Sequence, residues 1–263
     1  MSSLVGKNTR LTNKLTYKLT NKLTNKLEDL CSSGPGFAVL KQWASYKCDE
    51  ALATYKGLAA SPIFNTPTKN DAKRAQATLM KRPKPGKKAK QLYPTEWLEC
   101  VLNKVAQQSK RVVGGVVMLR STAGCSRQMA HCDYVPYDDL LNASDDTLPH
   151  LLLLALENNT FLDVWPHSHK LFRAQSPSCN PEKKIAVQQV VLDKGDALLF
   201  RADLVHAGSA YDTCNTRVHI YLDTHVKRVE NRTWIVCKHA PEELASLIQE
   251  ETPTQLQQDN EPT

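Results

Sequence analysis

The chain has 263 residues, 41% of them hydrophobic and 23% charged, which is the composition of a soluble protein with a buried core. Its formal net charge is +7, and this charge is concentrated in two segments. Residues 1–30 have six Lys/Arg against two acidic residues and residues 69–91 have nine against one, so the remainder is mildly acidic. This distribution argues against a basic groove running through the fold, and no apolar run is long enough to span a membrane.

The amino terminus and the cysteines indicate an intracellular protein. No apolar signal-peptide core is present, so we expect a cytoplasmic or nuclear protein that is not secreted. The eight cysteines are scattered without a Cys-x-x-Cys pair, which argues against a zinc ribbon or a thioredoxin-type motif. Free thiols are the expected state in a reducing compartment.

Residues 1–30 form a low-complexity basic arm. Leucine recurs at every fourth position from Leu11 to Leu27, and lysine follows the same period. A strict four-residue period drifts around a helix, and Thr and Asn are poor helix formers, so a solvated arm is the first interpretation. A targeting peptide or a membrane-surface helix is the alternative, since no acidic residue precedes Glu28.

Residues 31–94 predict a helical segment followed by a basic, proline-containing linker. Residues 37–60 favour one or two helices, and residues 61–91 contain four prolines and the run KRPKPGKKAK, which is typical of a linker or exposed loop. The basic residues of 69–91 fit a nuclear import signal or a nucleic-acid contact. A solvated loop fits them equally well.

Residues 95–240 have the pattern of the main domain. Residues 95–110 predict a helix with an apolar face, capped by Thr95. Short strand-like runs follow at 112–119, 151–157, 161–165, 185–192, 196–200 and 217–223. Several strands without helices between them favour an antiparallel sandwich or barrel. Residues 241–263 predict a short helix and then a disordered polar tail.

Four residues form a candidate metal and ligand site. His131 and Asp133 are two residues apart, so on a strand their side chains point the same way and can reach one ion. A further strand begins after the Gly195–Asp196 turn and ends near His206, and Arg217 follows eleven residues later. In a hairpin, His206 and Arg217 would face one cavity. Two histidines and a carboxylate form the facial triad of non-haem Fe(II) oxygenases, and arginine pairs well with a ligand carboxylate.

Three stretches carry a family resemblance. They are QMAHCDY at 128–134, NNTFLDVWPHSHK at 158–170 and GDALLFRADLVHAGSAYDTCNTR at 195–217. The pattern resembles the Fe(II)/2-oxoglutarate-dependent oxygenase superfamily and, within it, the phytanoyl-CoA dioxygenase-like group. His167 departs from that pattern, because the family usually has glycine at this point of the turn.

The resemblance implies a mainly β fold with flanking helices, namely a double-stranded β-helix of the jelly-roll or cupin type. It implies Fe(II) bound by His131, Asp133 and His206, with the carboxylate of 2-oxoglutarate against Arg217. With O₂ as the oxidant, such an enzyme hydroxylates its substrate and releases succinate and CO₂.

The substrate is less specified than the cofactors. We interpret Gln128, Tyr134, His219 and Tyr221 as a tentative substrate pocket, each with ordinary packing as the alternative. A small or lipid-like substrate is the leading hypothesis, and a nucleic-acid- or protein-modifying oxygenase is the second. A β-barrel without turnover, or a cupin with metal at His167 and His169, is the third.

Overall fold

Two β-sheets stacked face to face form the body of the protein, as seen in a computed structural model. It describes residues 30, 34–59, 73–81, 90–93, 95–109, 111–134, 148–171, 184–224, 234–239 and 242–248. The strands in these ranges are β1 Phe37–Leu40, β2 Arg74–Lys81, β3 Lys90–Gln91, β4 Val112–Ser121, β5 His131–Cys132, β6 His150–Ala155, β7 Thr160–Val164, β8 Gln188–Leu192, β9 Ala197–Arg201, β10 His206–Gly208, β11 Asn215–Asp223 and β12 Trp234–Ile235. The helices are α1 Cys48–Ala59, α2 Glu96–Ser109, α3 Val236–His239 and α4 Glu242–Ala245, with 3-10 turns at Ser45–Lys47 and Ser168–Lys170.

The larger sheet has seven strands in the order β1-β9-β6-β11-β4-β2-β3, and the smaller has five in the order β12-β5-β10-β7-β8. All the pairings within them are antiparallel. None of the helices in the described part of the chain is long and apolar enough to cross a membrane.

Three apolar layers hold the sheets and helices together. The outer face of the larger sheet packs on α1 and α2, through residues that include Trp97, Val101 and Ile220. The space between the sheets is filled by a second cluster, in which Leu153 and Phe200 lie. A third cluster covers the outer face of the smaller sheet with the carboxyl-terminal helices. The functional side chains described below project into the middle layer.

The run of leucines at the centre of the larger sheet explains this layering. Leu151 and Leu153 pack between the sheets, whereas Leu152 and Leu154 pack against the helices. A strand that is buried on both faces needs no polar alternation, so a continuous apolar run is expected.

Several sequence predictions match the described elements. The six predicted strands correspond to β4, β6, β7, β8, β9 and β11, and the helix predicted at 95–110 is α2. The Thr95 hydroxyl accepts a hydrogen bond from the Leu98 amide at 3.4 Å, as expected of a cap. The helix predicted after residue 241 is α4. Of the basic arm only Leu30 is described, and it is buried.

The prediction of helix throughout residues 37–60 was wrong at its beginning. Residues 37–40 form the edge strand β1, which pairs with β9 in the register Phe37 to Phe200. A four-residue apolar run is ambiguous between strand and helix, and here both of its faces find apolar neighbours on the sheet. The helix itself begins at Cys48.

The prediction of a linker or exposed loop at residues 61–91 was also wrong over its central part. Residues 74–81 form β2, which pairs with β4, and Ala77, Leu79 and Met80 are buried. The alanines and the glutamine of this strand have low β propensity, which the neighbouring strand outweighs. Strands β1, β2 and β3 come from residues 31–94 but lie in the same sheet as strands from 95–240. The remaining residues 61–72 and 82–89 lie outside the described part.

Candidate metal centre

Strand pairing in the smaller sheet brings two histidines together. His131 on β5 and His206 on β10 are direct register partners, and their ring centroids lie 4.5 Å apart. Asp133 follows two residues after His131, so its side chain projects to the same side of the sheet. The neighbouring Cys132 points the other way, into the outer cluster, and contacts the Asp203 carbonyl. This alternation separates the thiol from the cluster of candidate ligands.

The three side chains converge on a volume fit for one ion. One ligand atom from each of His131, Asp133 and His206 lies within 4.8 Å of the others, and all three residues are buried. The Asp133 oxygens are each 3.9 Å from a histidine, Oδ1 from His131 Nε2 and Oδ2 from His206 Nε2. Within the described part of the chain, no other group of three His, Cys, Asp or Glu has this geometry.

Backbone carbonyls fix the orientation of both imidazoles. His131 Nδ1 lies 2.7 Å from the Met129 carbonyl oxygen, and His206 Nδ1 lies 3.0 Å from the Leu204 carbonyl oxygen. Since a carbonyl only accepts, each Nδ1 must carry the proton. Each Nε2 then keeps its lone pair and points at Asp133. A partner on the distal ring nitrogen is the usual support of a metal-binding histidine.

The electrostatics of the cluster favour a neutral histidine beside an ionised carboxylate. Burial, reinforced by His131, lowers the pKa of His206 to about 3. Burial opposes ionisation of Asp133, but His206, His219 and His131 outweigh it and hold its pKa below the usual range. Unprotonated imidazoles and a carboxylate are the forms that bind a cation.

The donor set fits a divalent first-row metal such as Fe(II). Two imidazole nitrogens and one carboxylate leave three positions of an octahedron open. Asp133 Oδ2 is buried and has no hydrogen-bond partner among the described residues. A buried, ionised carboxylate costs free energy, and a cation bound to the Asp133 carboxylate would lower that cost.

Arg217 faces this centre from the opposite sheet. It lies on β11, between Leu119 of β4 and Ala155 of β6, so the predicted hairpin with His206 was wrong. The residues between them cross from one sheet to the other. Arg217 is buried and donates from Nη1 to the Ser121 hydroxyl at 3.0 Å. Burial lowers the pKa of Arg217, which is the expected effect of desolvating a cation.

Sequence reasoning missed a second buried arginine, Arg74 at the start of β2. Its Nη1 also donates to Ser121 Oγ, at 3.0 Å, and its Nη2 donates to three backbone carbonyls, those of Ser126 at 2.6 Å, Ser209 at 2.7 Å and Gly208 at 3.2 Å. The basic neighbours of Arg74 in the sequence suggested a solvated cluster. The short apolar run ATLM that follows was the available signal of a buried strand.

The four tentative pocket residues occupy different surroundings. Gln128 is half-buried and held to Gly208 by two hydrogen bonds: its side-chain Oε1 accepts from the Gly208 amide at 3.0 Å, and its backbone amide donates to the Gly208 carbonyl at 2.9 Å. Tyr134 is fully buried and donates to Asp223 Oδ1 at 3.0 Å. His219 lies beside the cluster, and Tyr221 stacks on it with centroids 4.8 Å apart. Tyr221 is the partly buried member of that pair, while His219 is buried.

His167 and His169, the alternative metal-binding pair, occupy positions that the local fold explains without a metal. His167 is exposed and has φ +66°, the left-handed conformation in which glycine is most at ease. This is the position at which the family usually has glycine. His169 is buried, and its ring lies against Gly36, where a Cβ would come within 2.8 Å of Nδ1. Within the described residues neither histidine belongs to a three-ligand group.

Residues 34–218 match the family model of phytanoyl-CoA dioxygenase (PhyH). The chain belongs to this family. The match includes His131, Asp133, His206 and Arg217, and it begins before β1. The predicted family is therefore confirmed, and with it the predicted class of non-haem dioxygenase that uses iron, 2-oxoglutarate and O₂.

Solved structures confirm the predicted double-stranded β-helix. A prolyl-4-hydroxylase from Pseudomonas putida is 12% identical with a TM-score of 0.51, over 77% of this chain and 99% of that one. A prolyl hydroxylase from Trichoplax adhaerens, in complex with a hypoxia inducible factor peptide, is 14% identical with a TM-score of 0.52, over 79% and 91%. The epimerase SnoN, in complex with Fe3+, alpha-ketoglutarate and nogalamycin RO, is 13% identical with a TM-score of 0.53, over 77% and 84%. None of the curated proteins matches the chain.

Proposed function

We propose that this dioxygenase hydroxylates a small or lipid-like molecule, with iron held by His131, Asp133 and His206 and 2-oxoglutarate held at Arg217. The observation that carries the proposal is the convergence of three buried ligand atoms within 4.8 Å, with both histidine Nδ1 atoms tied to the backbone. This geometry presents two Nε2 lone pairs and one carboxylate to a single ion.

The 2-oxoglutarate end of the site consists of Arg217, Ser121 and Arg74. Both guanidinium groups donate to the Ser121 oxygen, so its two lone pairs are used and its proton is left to donate. Two buried cations and a hydroxyl donor form a site for a carboxylate. Arg217 and His219 are two residues apart on β11, about 7 Å along the strand, so one short dicarboxylate can lie between the arginine and the metal.

The chain's residues bind, orient and exclude water, while the cofactors supply the oxidising chemistry. With iron and 2-oxoglutarate bound, O₂ is consumed, a substrate C–H becomes C–OH, and 2-oxoglutarate becomes succinate and CO₂. Phe200 forms a wall beside the centre, since its ring lies 5.0 Å from that of His206 and is fully buried. This apolar surface limits water near the reacting atoms.

Tyr221 supports an organic substrate near the centre. It is partly buried and stacked on His219, which places a flat aromatic surface next to the centre. One structural neighbour, SnoN, is in complex with nogalamycin RO, which is a small molecule. The Trichoplax neighbour has a peptide instead, so a protein substrate is the second candidate.

A nucleic-acid substrate has less support from the described residues. Two basic residues of segment 69–91 serve the fold, since Arg74 is buried and Lys73 donates to the Gly124 carbonyl at 2.9 Å. The run at 82–89 lies outside the described part. Salt-sensitive binding of DNA or RNA by the full chain would favour this alternative.

An anaerobic spectrum tests the cofactor chemistry without a substrate. Fe(II) and then 2-oxoglutarate are added to the purified protein, and a weak visible charge-transfer band is expected when the keto acid chelates the iron. The band should vanish in His131→Ala and weaken in Arg217→Ala. A folded wild-type protein that binds iron but never develops the band would contradict the proposal and favour a barrel without turnover.

A further inference from the structure

The histidine His219 touches the candidate metal centre without belonging to the three-ligand group. It lies on β11 of the larger sheet, paired with Val117 and Leu153. Its Nε2 is 3.5 Å from Asp133 Oδ2, so the two sheets meet at this pair of atoms. Both atoms are buried, and neither has a hydrogen-bond partner among the described residues. Two unsatisfied buried polar atoms that face each other are expected to pair once the site is filled.

Aromatic neighbours hold the His219 ring in place. Tyr221 stacks on it at 17° with a centroid distance of 4.8 Å, and the Phe200 ring lies 5.9 Å away at 33°. The imidazole is only 8% exposed. A ring confined in this way has a fixed direction for its Nε2 group, which here is the direction of Asp133.

We propose that His219 is a positioning residue, which donates from Nε2–H to Asp133 Oδ2 and so holds the carboxylate with one oxygen on the metal. This inference rests on the proposed function. A carboxylate that bound through both oxygens would occupy one further coordination position. With Oδ2 engaged by His219, three positions remain open for the two 2-oxoglutarate oxygens and O₂.

The proposal makes His219 the opposite tautomer of the two ligand histidines. His131 and His206 donate from Nδ1 to backbone carbonyls and offer Nε2 to the metal. His219 would carry its proton on Nε2 instead. A histidine that bound the metal through Nε2 would carry no proton there, so the position of this proton separates a positioning role from a fourth ligand.

Nitrogen-15 NMR of the imidazoles in the Zn(II)-loaded full chain tests the tautomer directly. We expect a proton on Nε2 of His219 and on Nδ1 of His131 and His206. A proton on Nδ1 of His219, or the nitrogen-15 shift of a metal-bound nitrogen at its Nε2, would overturn the proposal. Wild-type protein that binds no divalent metal would instead overturn the proposed function.

Two substitutions provide a second, independent readout through the affinity for Co(II). His219→Phe keeps a ring between Phe200 and Tyr221 but has no donor, and we expect affinity to fall about 10- to 100-fold. His219→Gln restores a donor and should recover most of that loss, while the exposed His167→Gln serves as the control. Equal affinities in wild type and His219→Phe, or no recovery in a folded His219→Gln, would contradict the positioning role.

Discussion

Arg74 and Arg217 donate to the same oxygen, since each Nη1 lies 3.0 Å from Ser121 Oγ. They come from different strands, β2 and β11, which flank β4 on either side. Two buried guanidinium groups repel each other unless an anion lies close to both. The arrangement is therefore better suited to a protein that is bound to a carboxylate than to an empty one.

Replacement of Arg217 should weaken 2-oxoglutarate binding while leaving metal binding intact. Hydrogen bonds to a charged group are worth about 1.5–3 kcal/mol, so Arg217→Gln should raise the Kd for 2-oxoglutarate roughly 10- to 100-fold. Arg217→Lys keeps the charge but loses the bidentate fork and should be intermediate. The measurement is anaerobic titration of the Fe(II) protein with 2-oxoglutarate.

Arg120 provides the matched control for this experiment. It lies on β4 beside Ser121 but contacts Tyr55 and Cys214 on the helix side of the sheet. Arg120→Gln should therefore leave the Kd for 2-oxoglutarate unchanged. Equal losses in the two variants would show a general effect of charge and not a carboxylate site at Arg217.

Replacement of Arg74 should cost both ligand affinity and stability. Arg74→Gln removes donors from the Ser126, Gly208 and Ser209 carbonyls. The Gly208 carbonyl keeps the Gln128 backbone amide, but a buried acceptor such as that of Ser209 costs about 1–3 kcal/mol when it is left unpaired. We expect a lower Tm together with weaker 2-oxoglutarate binding. Arg217 donates to a hydroxyl and to no carbonyl among the described contacts. The loss of Tm in Arg217→Gln should therefore be smaller. Equal losses of Tm in the two variants would contradict this distinction.

Addition of one methyl group at Gly208 should disturb the same end of the site. A Cβ there would come within 2.4 Å of Gln128 Oε1 and 2.9 Å of Arg74 Nη1, closer than real contacts allow. Gly208→Ala must therefore displace Gln128, Arg74 or both, and we expect weaker 2-oxoglutarate binding with little change in Fe(II) affinity. Gly57, where a Cβ meets nothing within 4 Å, is the control. Wild-type 2-oxoglutarate affinity in Gly208→Ala would argue against a role for this contact.

The sequence predicted those parts of the site that local patterns specify. The spacing of His131 and Asp133 places both side chains on one face of a strand wherever that strand lies. The predicted strands of residues 112–223 also depend on a local pattern, because each is an apolar run bounded by turn residues.

The missed parts depend on contacts between distant segments. Arg74 donates to the Ser209 carbonyl, 135 residues away in the chain, and nothing in the sequence near Arg74 reveals this contact. The hairpin predicted between His206 and Arg217 was wrong because the intervening residues change sheets, which periodicity within either strand cannot report. β1 was misread as helix because its apolar residues fit both periods, and only pairing with β9 decides between them.

Removal of His131 should abolish iron binding and all turnover. His131→Ala takes away one of two imidazole ligands and leaves Asp133 and His206 too few donors for a tight site. The readout is bound iron per chain after desalting, with circular dichroism to establish folding. His167→Ala removes an exposed histidine and should retain full iron content. If His167→Ala lost the iron and His131→Ala kept it, the alternative cupin-like site would be favoured.

The metal-free protein should lose stability as the pH falls below about 6.5. The pKa of His206 is about 3 in the folded state, below the ordinary value of 6.5 expected in the unfolded chain. Between pH 3 and pH 6.5 the unfolded chain therefore binds a proton at His206 that the folded chain does not bind. The free energy of unfolding then falls by up to about 1.4 kcal/mol per pH unit from this residue. Burial also lowers the pKa of His219, which acts in the same direction. About one pH unit above 6.5, neither histidine contributes a slope.

Urea unfolding of the metal-free protein between pH 7.5 and 4.5 measures this dependence. In His206→Leu the slope below pH 6.5 should be smaller than in wild type, because one of the buried imidazoles no longer resists protonation. Near pH 7.5 the two curves should become parallel, which gives the comparison an internal control. Identical slopes on the acid side would contradict the burial of a neutral His206. A steeper slope in wild type is therefore the mark of a centre that keeps His206 unprotonated and ready to bind a cation.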